Sequence, residues 1–329
     1  MKSQSQTEEL AKSDPAKSDI VIRPLQESDL SAADHIMRVA FGTFVGLPDP
    51  ETFAGDAGYV RSRWIADPNS AFAAESGGEL IGSNFATNWG SVGFFGPLTV
   101  RPDFWDRGVG RRLIEPVIEL FDKWGIRHAG LFTFPHSTKH VGLYQKFGFW
   151  PRFLTAIMSK AVEPRGASGW SRFSEVPVGD RPAILNACRE LTEAVYDGLD
   201  VKLEIDAVAN QNLGDTVLLW NNGKLIGLGV CHSGPGTEAG TGVCRVKFGA
   251  VLPSPDAERD FGRLLEACEA LAALLGASRL NAGVNTARHE AYRQMLARGF
   301  RTDIQGVVMD RPNEEGYNRA DVYILDDWR

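Results

Sequence analysis

The stretch Leu98-Thr-Val-Arg-Pro-Asp-Phe-Trp-Asp-Arg-Gly-Val-Gly-Arg-Arg-Leu113 predicts a strand, a loop with two glycines, and the start of a helix. A helix N-terminus offers unpaired N–H groups and a partial positive charge, which together bind anions. Gly108 and Gly110 would let a pyrophosphate approach the backbone closely. Positive charge is added by Arg107, Arg111 and Arg112. A plain helix start with a tight turn is the alternative, whereas a dinucleotide fingerprint would require glycine at Leu113.

This stretch belongs to the first of two similar halves of a 329-residue chain. A fixed offset of 151 residues (253 − 102 = 151) joins six pairs of positions: Pro102, Leu113, Gly125, Gly148, Phe149 and Met158 match Pro253, Leu264, Gly276, Gly299, Phe300 and Met309. Such an internal repeat is typical of a duplicated folding unit. The chain is also longer than the usual single domain of roughly 100 to 150 residues. We therefore expect two tandem domains of the same architecture.

Hydrophobic periodicity predicts the same order in each half: strand, helix, three strands, helix, strand, helix, strand. In the first half the predicted strands are 20–23, 72–75, 80–87, 92–100, 129–134 and 153–160, and the helices are 28–41, 108–124 and 137–147. In the second half the strands are 217–219, 225–231, 243–251 and 280–284, and the helices are 257–275 and 288–297. The predicted fold class is α/β, with a mixed, mostly antiparallel sheet and helices on both faces in each domain. The predicted division is a disordered tail over 1–19 and domains over 20–163 and 164–329.

Composition and charge exclude several classes of protein. The net charge of −7 and the pI near 5.5 argue against nucleic acid as a partner, because phosphate binding requires a basic face. No apolar run reaches the roughly 18 residues of a membrane span. The four cysteines, Cys188, Cys231, Cys244 and Cys268, show no zinc-ligand spacing, so no metal is expected. Without a signal-peptide pattern, these features predict a cytoplasmic protein.

A second motif, Ser137-Thr-Lys-His-Val-Gly-Leu-Tyr-Gln-Lys-Phe-Gly-Phe149, follows one strand later. Together the two motifs resemble the GNAT superfamily of N-acetyltransferases across residues 20–160, and the second half resembles it by topology. The family's Gln/Arg-x-x-Gly-x-Gly/Ala loop corresponds to Trp105-Asp-Arg-Gly-Val-Gly110, in which Trp105 departs from the pattern. The family's Tyr-x-Lys-x-Gly-Phe pattern is met in full by Tyr144-Gln-Lys-Phe-Gly-Phe149.

The resemblance implies an acetyl-CoA-dependent N-acetyltransferase, an acyltransferase that moves an acetyl group to a primary amine by direct attack. Tyr144 would act as the general acid that protonates the departing thiolate, and Ser137 falls where the family often has an Asn that contacts pantetheine. A backbone N–H in 98–100 would stabilise the oxyanion. The residues expected to bind the coenzyme are Leu98, Thr99, Val100, Trp105, Asp106, Arg107, Gly108, Val109, Gly110, Arg111, Arg112, Ser137 and Lys146.

The general base and the acceptor are left open by the sequence. The strand 92–100 contains no Asp or Glu, so the base could be His136, His140, or a water chain to Glu75 or Asp103. The acceptor could be a small amine or a peptide, and the acidic balance hints at a cationic one. Acyl length and homo-oligomerisation also stay open.

The second half changes the chemistry of the same motifs. Four substitutions at the 151-residue offset would prevent coenzyme binding there: Arg259 for Gly108, Phe261 for Gly110, Arg288 for Ser137 and Met295 for Tyr144. We therefore expect a second domain that keeps the fold and has a degenerate CoA site. The alternative function for the whole chain is a non-catalytic acyl-CoA-binding or interaction module, because a fold alone does not confer activity.

Overall fold

The computed structural model describes residues 20–163 and 166–329, so the predicted tail 1–19 lies outside the described residues. The first half contains β1 (Val21–Pro24), α1 (Leu30–Val45), α2 (Val60–Ala66), β2 (Ala71–Ser76), β3 (Glu79–Trp89), β4 (Val92–Phe95), β5 (Thr99–Val100), α3 (Val109–Trp124), β6 (His128–Thr133), α4 (Thr138–Gln145) and β7 (Trp150–Ala161).

The second half contains β8 (Trp170–Arg172), α5 (Arg181–Val195), α6 (Lys202–Gln211), β9 (Gly214–Asn221), β10 (Lys224–Gly234), β11 (Gly240–Val251), α7 (Ala257–Leu274), β12 (Arg279–Asn285), α8 (His289–Ala297), β13 (Arg301–Arg311) and β14 (Ile324–Leu325). The sequence analysis gave no bounds for the helix expected between the first two strands of the second half, and two helices, α5 and α6, lie there. They occupy the place that α1 and α2 take in the first half.

The strands of the described residues form one continuous sheet in the order β1-β2-β3-β4-β6-β13-β7-β12-β11-β10-β9-β8. The pairs β4–β6 and β11–β12 are parallel and the other pairs along this order are antiparallel. The apolar side chains of α7 pack on one face of the second half, and those of α5 and α6 pack on the other. These features confirm the predicted fold class of a mixed, mostly antiparallel sheet with helices on both faces.

The two halves exchange strands at the centre of the sheet. The sequence predicted that 153–160 would close the sheet of the first half, but β7 lies between β12 and β13, both from the second half. Strand β13 in turn lies between β6 and β7, with Val307 opposite Thr133 and Gly306 opposite Thr155. The chain passes from β7 directly into the second half without a closing strand. The two halves therefore complete each other's sheets, and a division at 163/164 does not separate two sheets.

The predicted strand 92–100 is two strands in the structure. β4 pairs with β6 as far as Phe94, whereas β5 pairs with β3. Between them lies Gly96-Pro97, where proline has no N–H to donate to a ladder. Because β4 and β6 lose their pairing after Phe94, the sheet opens at this point. That opening positions the candidate site.

The helices largely match the predicted apolar faces. On α3 the side chains of Leu113, Val117 and Phe121 are buried, and the helix continues through Pro116. Helix α1 extends beyond the predicted end to Val45 and is capped by Gly46, whose φ of 75° is in the left-handed region. All four cysteines are buried and free. Among the described residues, no helix has both the length and the apolar character needed to cross a membrane.

Candidate active site

A cavity of about 1090 Å³ occupies the opening between β4 and β6. It is bordered by the N-terminal ends of α3 and α4 and by one side of α1. The predicted site residues that line it are Leu98, Thr99, Val100, Trp105, Asp106, Gly108, Val109, Gly110, Arg111, Ser137, Tyr144 and Lys146. Arg107 and Arg112 are outside the lining. The guanidinium of Arg107 lies over the ring of Phe104 at 4.8 Å, and Arg112 is exposed on α3.

The loop before α3 has the backbone geometry of an anion site. Asp106 and Gly108 both have left-handed φ angles, 65° and 76°. Left-handed residues in a turn can direct N–H groups toward one concavity, and the first N–H groups of a helix such as α3 lack intrahelical partners. A Cβ added to Gly110 would meet only Leu143 Cδ2, at 3.5 Å. The protein's own packing therefore does not require glycine there, whereas the close approach of a phosphate would.

Trp105 stands where the family pattern has Gln or Arg, and its side chain holds the loop in place. Its indole Nε1 donates a hydrogen bond to the carbonyl oxygen of Val100 at 2.7 Å. This bond joins the loop to β5. Lys139 lies over the indole ring at 5.8 Å and forms an ion pair with Asp106 at 2.7 Å. The ammonium of Lys139 thus partly neutralises the one carboxylate of the loop.

Tyr144 lies on the face of α4 that borders the cavity. Ser137 caps this helix, as its side-chain oxygen accepts a hydrogen bond from the backbone N–H of His140 at 3.5 Å. Tyr144 is 8% exposed and its ring lies 5.9 Å from that of Phe95. Burial raises the pKa of the Tyr144 hydroxyl, which therefore stays protonated at neutral pH. No group of the described residues forms a hydrogen bond with this hydroxyl, so it can donate to a ligand.

His140 is the candidate base that the structure places in the cavity. Its ring is half-buried against Phe44, at 5.0 Å between centroids. Burial, assisted by the charges of Lys139 and His136, lowers the pKa of His140 below its ordinary value, so the imidazole is neutral at pH 7. His136 is not part of the lining.

The two carboxylates considered as bases lie elsewhere. Glu75 forms an ion pair with Arg23 at 2.7 Å, and Asp103 forms one with Arg101 at 2.8 Å. Neither carboxylate lines the cavity. Because each already holds an arginine outside the cleft, neither is positioned to accept a proton from an amine in it.

The matching groove of the second half is filled by the chain itself. β14 pairs with the end of β11, with Leu325 opposite Gly249 and Ile324 opposite Ala250. The N–H of Val251 donates to the carbonyl oxygen of Tyr323 at 3.3 Å. By the 151-residue offset, these positions of β11 correspond to 98–100 in the first half. A peptide segment thus lies where an extended ligand would pair with the strand.

Three of the four substituted positions of the second half are part of its core, whereas Arg259 is exposed and pairs with Asp256 at 3.0 Å. Phe261 and Met295 are fully buried. Arg288 is 1% exposed and donates to the side chains of Asn318 and Asp326, the latter at 2.6 Å. These contacts fix the segment that fills the groove. Phe261, Arg288 and Met295 therefore have a packing function in this half.

Sequence reasoning missed the aromatic lining of the cavity. It comprises Phe41, Phe44, Phe53, Tyr59, Phe132 and Phe134. Phe41 and Phe44 are spaced i, i+3 on α1, a signal lost because the helix was predicted to end at 41. Ile304, Trp328 and Arg329 of the second half also line the cavity. No local pattern connects these three to a site some 200 positions earlier in the chain.

Comparisons with known proteins agree with this geometry. Residues 36–149, which include both motifs and Tyr144, match the model of the acetyltransferase (GNAT) family. The matched region of the chain therefore belongs to this family. A comparison with curated proteins found no match.

Solved structures share the fold of this chain across both halves. A putative acetyltransferase from Pyrococcus horikoshii matches with a TM-score of 0.66 and 15% identity, over 92% of this chain and 93% of that one. A GCN5-related N-acetyltransferase from Sphaerobacter thermophilus gives 0.58 and 16%, over 89% and 95%. A tandem GNAT protein from the clavulanic acid biosynthesis pathway gives 0.54 and 12%, over 89% and 98%. The tandem arrangement is thus shared with a known structure.

Proposed function

We propose that this protein is an N-acetyltransferase that moves the acetyl group of acetyl-CoA to a primary amine, using a coenzyme groove in the first half. The observation that carries the proposal is the meeting of two groups in one cleft. The loop before α3 has left-handed residues at Asp106 and Gly108, which suit an anion site, and Tyr144 lines the same cavity. A coenzyme with a diphosphate at one end and a thioester at the other requires both.

The residues present fit such a coenzyme. The loop 105–111 would hold the diphosphate through backbone N–H groups, with Arg111 adding charge. Strand β5 would pair with the pantetheine arm. The N–H of Arg101 donates a hydrogen bond to the carbonyl oxygen of Ile81 in β3 at 2.8 Å. Because successive N–H groups of a strand point to opposite sides, the N–H of Val100 would be directed away from β3 and toward the coenzyme. The second half supports this assignment, since the N–H of Val251, counterpart of Val100, holds a carbonyl oxygen of an extended segment.

The chemistry requires two proton transfers. An N–C bond forms, the C–S bond breaks, the nitrogen loses a proton and the sulfur gains one. Tyr144 would supply the proton to sulfur, which its raised pKa permits at neutral pH. His140, neutral at pH 7, would accept the proton from nitrogen. The backbone N–H groups of 98–100 would stabilise the negative charge on the thioester oxygen.

Replacement of Tyr144 by phenylalanine tests the proposal. Tyr144→Phe keeps the ring and removes the proton donor, so we expect kcat to fall about 100-fold or more while the affinity for acetyl-CoA is retained. The measurements are thiol release with a panel of primary amines and calorimetric titration with acetyl-CoA. Tyr292→Phe, on α8 in the second half, is the matched control and should keep full activity.

Three outcomes would distinguish the proposed catalysis from its alternatives. An unchanged kcat in Tyr144→Phe would remove this residue from the mechanism. Failure of the intact protein to bind CoA or acetyl-CoA would remove the coenzyme groove as well. Tight acetyl-CoA binding without thiol release, for any amine, would favour the non-catalytic acyl-CoA-binding module.

A further inference from the structure

The part of the cavity formed by α1, the segment after it and β6 is a wall of aromatic rings. Its members, here called the aromatic wall, are Phe41, Phe44, Phe53, Tyr59, Phe132 and Phe134. All six are only partly buried. Phe41 and Phe53 stack at 5.3 Å with an interplanar angle of 17°, so part of the wall is prearranged. A concave surface of ordered apolar rings is typical of a ligand site.

The charges around the cavity are distributed unevenly. Asp106 is the one carboxylate among the lining residues, and it pairs with Lys139 beside the α3 loop. The other charged lining residues are the cations Arg111, Lys146 and Arg329. Apart from Asp106, no Asp or Glu side chain of the described residues lines the cavity, so the aromatic wall has no acidic side chain beside it. A second ammonium on an acceptor would be desolvated there without a counter-charge, which is unfavourable.

We propose that the acceptor is an arylalkylamine, a primary monoamine whose aromatic body packs on the aromatic wall while its nitrogen lies near His140 and Tyr144. This inference rests on the proposed function. The acidic composition of the chain hinted at a cationic acceptor. The acidic residues that give the net charge of −7 lie outside this part of the cavity, so they do not favour a second positive charge on the acceptor. The rings offer stacked or edge-to-face contacts, which add to the gain from burying apolar area.

The same surroundings assist deprotonation of the amine. An ammonium loses hydration when it enters an apolar cleft, and this loss lowers its pKa. The neutral amine is then the form that binds, and a weak base is sufficient. One proton leaves the nitrogen for His140 or solvent, one passes from Tyr144 to sulfur, and the acetyl group moves from sulfur to nitrogen. The neutral imidazole of His140 in the cleft can serve as this weak base.

Binding to the full-length protein saturated with CoA tests the acceptor class without requiring turnover. The probes are 2-phenylethylamine, hexylamine and 1,5-diaminopentane, which differ in the ring and in the second charge. We expect 2-phenylethylamine to bind roughly 10-fold or more tightly than 1,5-diaminopentane, with hexylamine between them. The order of kcat/KM in the thiol-release assay should be the same. The reverse order, or no binding of 2-phenylethylamine, would overturn the inference.

Substitutions in the aromatic wall locate the effect. Phe44→Leu removes a ring and keeps apolar volume, so KM for 2-phenylethylamine should rise about 10-fold, KM for hexylamine should change less, and acetyl-CoA affinity should be unchanged. Phe44→Ala should give a larger rise. Phe153→Ala removes an exposed ring of β7 outside the cavity and is the matched control. Equal changes for both amines in Phe44→Leu would contradict ring recognition.

The failure of this inference is distinguishable from failure of the proposed function. Thiol release that is fastest with 1,5-diaminopentane would refute the acceptor class and leave the acetyltransferase activity standing. Binding of 2-phenylethylamine without thiol release would support the acceptor class and refute catalysis. Tighter binding of octanoyl-CoA than acetyl-CoA, with displacement of 2-phenylethylamine, would assign the aromatic wall to the acyl chain of the donor.

Discussion

Glu238 links the two halves through a buried cluster of charges. Its side chain is fully buried in the turn between β10 and β11. The Nε of Arg63 lies at 2.8 Å, the Nζ of Lys247 at 2.7 Å and an Nη of Arg245 at 3.2 Å from its carboxylate oxygens. Burial opposes ionisation, but these three cations hold the pKa of Glu238 well below its ordinary value of 4.5. Arg63 is on α2, so the carboxylate connects the first half to the second.

The substitution Glu238→Gln keeps the shape and removes the charge. Lys247 and Arg245 each retain a second side-chain carboxylate, at 3.1 and 2.9 Å, whereas Arg63 retains only the main-chain oxygens of Gly96 and Arg329 within the described residues. One cation is therefore left without an acidic side chain. Removing one member of a buried ion pair costs about 3 to 5 kcal/mol, and the remaining amide oxygen favours the lower value. We expect a loss of about 3 kcal/mol and, for a chain of this length, a fall in Tm of about 4 °C.

Urea denaturation at several pH values is the assay. A carboxylate whose folded pKa is depressed contributes its full stability above the unfolded pKa near 4.5 and loses it as the pH falls toward the folded pKa. The difference in unfolding free energy between wild type and Glu238→Gln should thus be constant from pH 8 to about 6 and shrink below about 4.5. Glu193→Gln, which breaks the half-exposed pair with Arg189, is the control and should change little. A loss under about 1 kcal/mol at pH 7, or a gap that widens in acid, would refute the reasoning.

Two further predictions concern the coenzyme groove and the base. Gly110→Ala should raise the Kd for acetyl-CoA by about 10-fold or more without lowering Tm, because the added Cβ occupies the proposed phosphate space and meets only Leu143 in the protein. Calorimetry should also give one CoA per wild-type chain, and two would contradict a filled second groove. If His140 is the base, kcat/KM should rise with pH through a pKa below 6.5 as the imidazole becomes neutral. The variant His140→Gln should lose this rise at acidic pH. An unchanged pH profile in the variant would exclude His140 as the base.

The sequence predicted the features that depend on local patterns. The 151-residue offset gave two halves of one architecture, and the glycine loop and Tyr144 are found beside one cavity. Glycine caps and apolar faces at helical spacing located α3 and α4 within a few residues. These predictions succeed because a helix terminus and a tight turn are specified by a few neighbouring residues.

The missed features depend on which segments meet. Alternation of apolar residues indicates a strand and its faces but not its neighbour, and β7 and β13 have equivalent patterns, so their exchange could not be read from the sequence. The break at Gly96-Pro97 was missed because apolar residues continue on both sides of it. The aromatic wall combines α1 with β6, and Trp328 arrives from the far end of the chain. Only the folded sheet brings these together.

The exchanged strands have a consequence for synthesis on the ribosome. When β7 emerges, neither of its eventual neighbours, β12 and β13, has been made, and β6 also waits for β13. The nascent first half therefore exposes unpaired strand edges for about 150 further residues of translation. Such edges invite pairing with other chains, so the newly made protein should need protection by chaperones until Arg301–Arg311 closes the gap.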